Sequence, residues 1–241
     1  MTARTEWTEQ LSTVPADGIA DFLTRNSGLP GPRGNLELAD AFAEWAPAEV
    51  ILELADSDDE YLRFCGTEAI GRLIREHPHD AALLETIRWR AGDERWRVRE
   101  AAARALQIVG DADRGLLRRI VAEWVEADDA LVQRAAIAAI CEPRLLSDDP
   151  TRAAALAACA STTRWLSRQP LPTRRDAALR VLRQALGYCW SVAIAASPVA
   201  GISAFSELET SDDPDVAWIV ASNAKKARLR RVLAERLGAR P

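Results

Sequence analysis

Two sets of residues in this chain have types and spacings suited to chemistry. Trp96 and Glu100 stand four apart in Trp96-Arg97-Val98-Arg99-Glu100. That spacing sets an aromatic face and a carboxylate on one side of a helix. Arg63, Arg99 and Arg134 recur 36 and 35 residues apart. A guanidinium is the side chain best shaped for two-pronged contact with a phosphate or a carboxylate. Arginines projecting from successive helices into one groove would line it with anion-binding positions.

The elements that must carry these residues are read from a repeat. Asp58-Asp59-Glu60-Tyr61-Leu62-Arg63, Asp93-Glu94-Arg95-Trp96-Arg97-Val98-Arg99 and Asp128-Asp129-Ala130-Leu131-Val132-Gln133-Arg134 each open an Ala-rich helix. A fixed period of this size predicts helical hairpins that stack because none can bury its apolar face alone. Asp58 or Asp59 caps a helix running towards His77, where Pro78 stops it. Further helices are predicted from Asp80 to Ala91, from Gly92-Asp93 to Gly110-Asp111, from Ala112 to Ala127, and from Asp129 to Cys141. Towards the N-terminus the pattern gives helices over Pro15 to Arg25 and Leu36 to Trp45, with Pro47 opening another. Between the first two lies Asn26-Ser27-Gly28-Leu29-Pro30-Gly31-Pro32-Arg33-Gly34-Asn35, which no helix can cross. It is either a plain connector or an ordered loop presenting backbone N–H groups and Arg33 to a ligand. After Asp148-Asp149-Pro150, long helices reach Arg168 and then run from Thr173 to Ala195. Shorter ones start at Ser197-Pro198 and Ser211-Asp212-Asp213-Pro214, and a basic helix covers 224–238. The predicted fold is all-α: a right-handed α-solenoid of stacked antiparallel hairpins with a concave groove, read as one domain over 1–241 and clearest over 50–141.

Composition excludes several classes. The chain is 48% hydrophobic and 28% charged over 241 residues, which supports a globular core. The longest apolar stretch, near Val192-Ala193-Ile194-Ala195-Ala196, is too short for a bilayer, and Met1-Thr2-Ala3-Arg4-Thr5-Glu6-Trp7 has no signal core. No membrane role is expected. Cys65, Cys141, Cys159 and Cys189 are scattered at helical positions and read as small core residues in a reducing, cytoplasmic setting. With only His77 and His79 beside them, no metal is expected, and no Gly-rich phosphate loop or Ser-His-Asp set implies a cofactor or hydrolase. The net charge of −5 is uneven: 224–241 carries +6 and 164–183 carries +5, leaving −16 elsewhere. Such asymmetry marks either an anion-binding face or well-solvated helices that complement their own dipoles.

The Asp that precedes an Arg by six residues, Asp93 with Arg99 and Asp128 with Arg134, resembles HEAT-repeat proteins. That resemblance implies a ladder between turn aspartates and second-helix arginines. More narrowly, Trp96-Arg97-Val98-Arg99-Glu100, Gln133-Arg134-Ala135-Ala136-Ile137 and Arg183-Gln184-Ala185-Leu186-Gly187-Tyr188 resemble, in order, segments of the AlkD-like alkylpurine DNA glycosylases. The resemblance implies Glu100 as the carboxylate that stabilises an oxocarbenium-like sugar or positions water. Trp96 and Tyr188 would hold a cationic base, with Trp190 close by, and Arg134 a phosphate. Arg99 and Arg183 would complete the binding surface. The chain departs from the family in having Glu100 for Asp, Tyr188 for Trp, and Val132 where an aromatic precedes the Arg134 segment. The expected function is a non-catalytic scaffold of AlkD-like ancestry that holds a protein partner or duplex DNA in its groove. The alternatives are an alkylpurine glycosylase and a DNA-binding relative without catalysis.

Overall fold

The computed structural model describes residues 3–236, so Arg240 and the last two residues of the predicted tail helix lie outside the described residues, as do Met1 and Thr2. Every regular element among the described residues is helical. In chain order these are α1 (Ala3–Ser12), α2 (Ile19–Arg25), α3 (Leu36–Trp45), α4 (Ala48–Ala55), α5 (Glu60–Glu76), α6 (Ala81–Arg90) and α7 (Trp96–Ala112). There follow α8 (Arg114–Trp124), α9 (Ala130–Ile140), α10 (Asp149–Arg168), α11 (Ala177–Ala196), α12 (Pro198–Glu209), α13 (Pro214–Ala224) and α14 (Ala227–Arg236). The chain is a helical-repeat protein that divides into two compact units, Met1–Asp113 and Arg114–Pro241. None of the described helices is long and apolar enough to cross a membrane.

In the first unit α3, α5 and α7 lie side by side, with α4 packed on α5 and α6 against both α5 and α7. Glycine sets the closeness of this row. A methyl group at Gly66 would collide with the backbone of Leu54 and Ala55 on α4, and one at Gly71 with the backbone of Ala105 on α7. Opposite Gly71, α7 contributes Ala101, Ala102 and Ala105, all fully buried. The boundaries follow local chemistry. Asp59 Oδ1 accepts from the N–H groups of Tyr61 (2.8 Å) and Leu62 (2.9 Å), and Asn35 Oδ1 accepts from Leu38 N–H (3.1 Å) to cap α3.

α1 was not expected from the sequence. Its apolar residues do not form a continuous stripe, so periodicity gives no signal. It folds because Leu11 is fully buried and Trp7 meets Phe22 edge-on at 6.2 Å, which is tertiary packing overriding local pattern.

In the second unit α11 lies between α9 and α13, with α10, α12 and α14 also against it. Its predicted start at Thr173 is replaced by a single 3-10 turn, Thr173–Arg175, before Ala177. α11 and α13 are locked by the fully buried Asn223, whose Nδ2 donates to Leu186 O (2.9 Å) and Ile219 O (2.8 Å) while Oδ1 accepts from Ser191 N–H (2.8 Å). Gly187 leaves room for the Trp218 ring, which a Cβ there would strike.

Gly71→Ala is expected to destabilise the protein by about 1–3 kcal/mol through overpacking, although alanine is the better helix former by about 1 kcal/mol. Denaturant unfolding decides this: a variant as stable as the wild type would mean that α5 and α7 can separate freely.

Candidate functional site

The arginine repeat resolves into a different register. Arg63 Nε donates to Ser57 O (2.7 Å) and its Nη1 pairs with Asp93 Oδ2 at 3.1 Å. Arg99 Nη1 donates to Asp93 O (2.6 Å) and Glu94 O (2.9 Å). The third residue in this role is Gln133, whose Nε2 donates to Ala127 O at 2.7 Å. The N-cap residues of α5, α7 and α9 are Asp59, Arg95 and Asp129. Counting from them, Arg63, Arg99 and Gln133 are equivalent, and Arg134 falls at the position of Phe64 and Glu100. The expected ladder is present between Arg63 and Asp93, but Arg134 is out of its register by one residue. The cause is that Asp128 stands one residue before the N-cap of α9, whereas Asp93 stands two before that of α7.

The first unit contains a pocket of about 410 Å3 with mostly carbon walls, into which Trp96, Arg97 and Glu100 of α7 reach. Tyr61 and Phe64 of α5, Leu36 and Glu37 of α3, and Pro32 to Asn35 complete it. Counted from the caps, these helical residues fall at the same few positions of the first turns of α3, α5 and α7. Trp96 is the prominent side chain, 53% exposed. Arg97 lies over its ring, 4.6 Å from the centroid, and pairs with Glu60 at 2.8 Å. The Tyr61 and Phe64 rings are nearly parallel, with centroids 6.2 Å apart.

The Gly/Pro segment is an ordered wall of this pocket, which favours the second of its two sequence readings. Gly28 takes φ = +73°, a left-handed conformation open to glycine. Asn35 N–H donates to Ser27 O (2.8 Å), closing the loop, and Tyr61 Oη donates to Asn35 O (2.7 Å), tying it to α5. Burial holds the Tyr61 hydroxyl well above its ordinary range, with the neighbouring Cys65 adding to the shift.

One helical turn beyond the pocket lies a charge network. Arg104 on α7 grips Glu68 on α5 through both oxygens, Nε–Oε2 2.8 Å and Nη2–Oε1 2.9 Å, and reaches Asp40 Oδ1 on α3 at 2.7 Å. Glu68 is fully buried. That burial pushes its carboxyl up to about 7, although Arg104 pulls the other way.

The other sequence candidates lie in the second unit. Tyr188 is 41% exposed, but its ring carries Arg228 at 4.7 Å and Lys226 at 5.7 Å, and its hydroxyl accepts from Arg228 Nη2 at 2.8 Å. Arg183 is paired with Asp215 (2.6 Å) and stacked on Trp218 (4.7 Å). Trp190, expected near a binding surface, is fully buried. Its Nε1 donates to Thr163 Oγ1 at 3.0 Å and its ring packs on Phe205, so it is a core residue. Sequence reasoning missed Tyr61, Phe64, Leu36 and Glu37; counting each helix from its cap would have aligned them with Trp96 and Glu100. The four cysteines are free and buried.

No family model matches the sequence, and no curated protein matches it. Solved structures similar to the chain include an engineered protein at 17% identity, covering 97% of this chain and 98% of that one, with a TM-score of 0.37. They also include a designed armadillo repeat protein in complex with the peptide (KR)4, at 13% identity over 95% of this chain and 100% of that one, TM-score 0.37. A second designed armadillo repeat protein is 16% identical over 93% and 98%, TM-score 0.38.

The elevated Glu68 carboxyl makes stability depend on pH. The folded protein holds this proton more tightly than the unfolded chain, whose carboxyl titrates near 4.5. Stability is therefore highest at low pH as far as this group is concerned, and it falls as pH rises from about 4.5 through about 7. The full fall is about 3 kcal/mol. Unfolding free energies of wild type and Glu68→Gln, measured across that window, should differ in slope by this contribution; parallel curves would refute it.

Proposed function

We propose that this chain is a helical-repeat binding protein that uses the pocket on the first turns of α3, α5 and α7 to anchor an extended segment of a protein partner. The observation that carries this reading is Trp96, an exposed indole at an apolar pocket one wall of which is the pinned Gly28–Asn35 loop. Aromatic anchors in well-packed pockets dominate the energetics of protein interfaces. A preformed wall also lowers the ordering cost of binding. The free, buried cysteines fit a reducing, cytoplasmic setting. AlkD-like ancestry remains part of this reading, carried by the three sequence segments that suggested it.

The second reading, excision of alkylated purines, is favoured by one observation: Trp96 and Glu100 line the same pocket. The engagement of Tyr188 by two cations of its own unit weighs against it, because that ring was to receive the cationic base. Release of 7-methylguanine and 3-methyladenine from methylated duplex DNA, lost in Glu100→Gln, would establish it. No release from folded wild type leaves the binding reading in place.

For the binding reading, peptides are selected from a displayed random library on the full chain and their affinities measured against wild type and Trp96→Ala. The expected result is a loss of about tenfold or more, 1.4 kcal/mol upwards, as for an anchoring aromatic. Peptides that bind the variant as tightly as the wild type would place the interface elsewhere.

A further inference from the structure

The Gly28–Asn35 loop borders two concavities. Pro32 to Asn35 belong to the carbon-walled pocket with Trp96. Leu29 and Pro30 belong to a second, of about 380 Å3, lined also by Thr24, Ser27, Asp59 and Glu60. Tyr61 and Arg97 line both, so the two adjoin. Arg97, which Glu60 holds at 2.8 Å, is the polar side chain they share.

The second concavity has hydrogen-bonding capacity to spare. Asp59 Oδ1 accepts from the N–H groups of Tyr61 and Leu62, while its Oδ2 accepts from none of the described residues. Glu60 Oε2 takes Arg97, and its Oε1 accepts from none of them either. Thr24 Oγ1 has no partner among the described residues. Ser27 is only 4% exposed; its hydroxyl oxygen accepts from Leu29 N–H at 3.1 Å, and its hydroxyl proton meets no acceptor among the described residues. Three free acceptors suit the three donors of an ammonium or the fork of a guanidinium, and a buried free donor suits a backbone carbonyl.

Charge selects the same ligand. Two carboxylates face one guanidinium in the lining of the second concavity. Residues 1–113 carry 22 carboxylates against 12 arginines, a net of −10. Both the local and the wider field oppose an anion and draw a cation. The N-terminus of α5, which would otherwise attract an anion, is occupied by its own Asp59 cap. In an extended segment successive residues advance about 3.3 Å and alternate in direction, so adjoining concavities receive side chains one or two positions apart.

We propose that the second concavity is a specificity subsite for a basic residue of the partner segment. It takes a lysine ammonium or an arginine guanidinium one or two residues from the apolar side chain seated beside Trp96. The proposal rests on the Trp96 pocket being the peptide-binding site, and it states which sequences that site selects. Asp59 and Glu60 receive the cation, and Ser27 donates to a carbonyl of the segment.

The test uses peptides selected from a displayed random library on the full chain. Peptides that lose affinity on Trp96→Ala should be enriched in lysine or arginine one or two residues from an apolar one. The tightest of them, remade with glutamine at the basic position, should bind at least about fivefold more weakly. Asp59→Asn keeps a capping side chain on α5 and should shrink that difference. Glu53→Gln removes an exposed carboxylate of α4 outside both concavities and should leave it intact. Trp96-dependent peptides with no basic preference would overturn the subsite and leave the pocket as the binding site. An equal effect of Asp59→Asn and Glu53→Gln would also overturn it, because the preference would then belong to the net charge of the unit. Peptides indifferent to Trp96→Ala, or a library that yields no binder, would overturn both readings.

Discussion

The first unit depends on one guanidinium. Arg104 joins α7 to α5 through Glu68 and to α3 through Asp40, so three helices that share no covalent turn are held in a single register. The pairing is obligatory from the carboxylate's side. A fully buried Glu68 without Arg104 would have to hold a proton or stand as an uncompensated charge, and removing one member of a buried pair typically costs about 3–5 kcal/mol. The cost is smaller here in proportion to the solvent that still reaches Arg104 and Asp40, 26% and 31% exposed. The close approach permitted by Gly71 is what brings the guanidinium within reach of Glu68. Because Arg104 stands one turn beyond Glu100, Glu68 one turn beyond Phe64, and Asp40 one turn beyond Leu36, fixing the network also fixes the pocket above it.

That dependence explains why the architecture was legible in the sequence and the site only half so. Helix type, the caps at Asp59 and Asp129, and the stop at Pro78 are local rules, and the chain obeys them. Trp96 and Glu100 were visible because their spacing lies within one helix. Phe64 is equivalent to Glu100, but only once both helices are counted from their N-caps. The repeated Asp and Arg letters suggested a count that fails at α9, where Gln133 takes the turn carbonyl that Arg63 and Arg99 take elsewhere. A residue type repeated in sequence is weaker evidence of register than a repeated hydrogen bond. The Gly/Pro loop was ambiguous for a related reason. Its order comes from Tyr61, 26 residues beyond Asn35, whose hydroxyl holds it, and no local pattern carries that contact.

The two units spend their charged and aromatic residues differently. In the second, several of the basic side chains are engaged internally. Arg174 pairs with Asp213 and Asp215, Arg183 with Asp215, and Arg228 covers Tyr188. These contacts close the end of that unit, where Asn223 and the Gly187–Trp218 approach lock α11 to α13. Basic composition there therefore does not by itself describe a binding face, because Arg174, Arg183 and Arg228 are committed to its packing, although Arg164, Arg168, Arg175, Arg180, Arg230 and Arg231 stay exposed. In the first unit the ion pairs lie beneath or beside the pocket and leave Trp96 prominent.

An exposed indole is costly to keep unless something covers it, since a fully buried large apolar side chain gains about 1.5–3 kcal/mol over an exposed one. Trp89 and Trp96 are both exposed, at 67% and 53%, and each carries the guanidinium of the next residue, Arg90 or Arg97. Exposure and cation stacking therefore do not distinguish them. Surroundings do. Trp96 belongs to a concavity with two further aromatic residues and a pinned loop, and Trp89 is not among its lining residues. The concavity at Trp96 is consequently a product of the convergence of α3, α5 and α7 in the register that Arg104 sets.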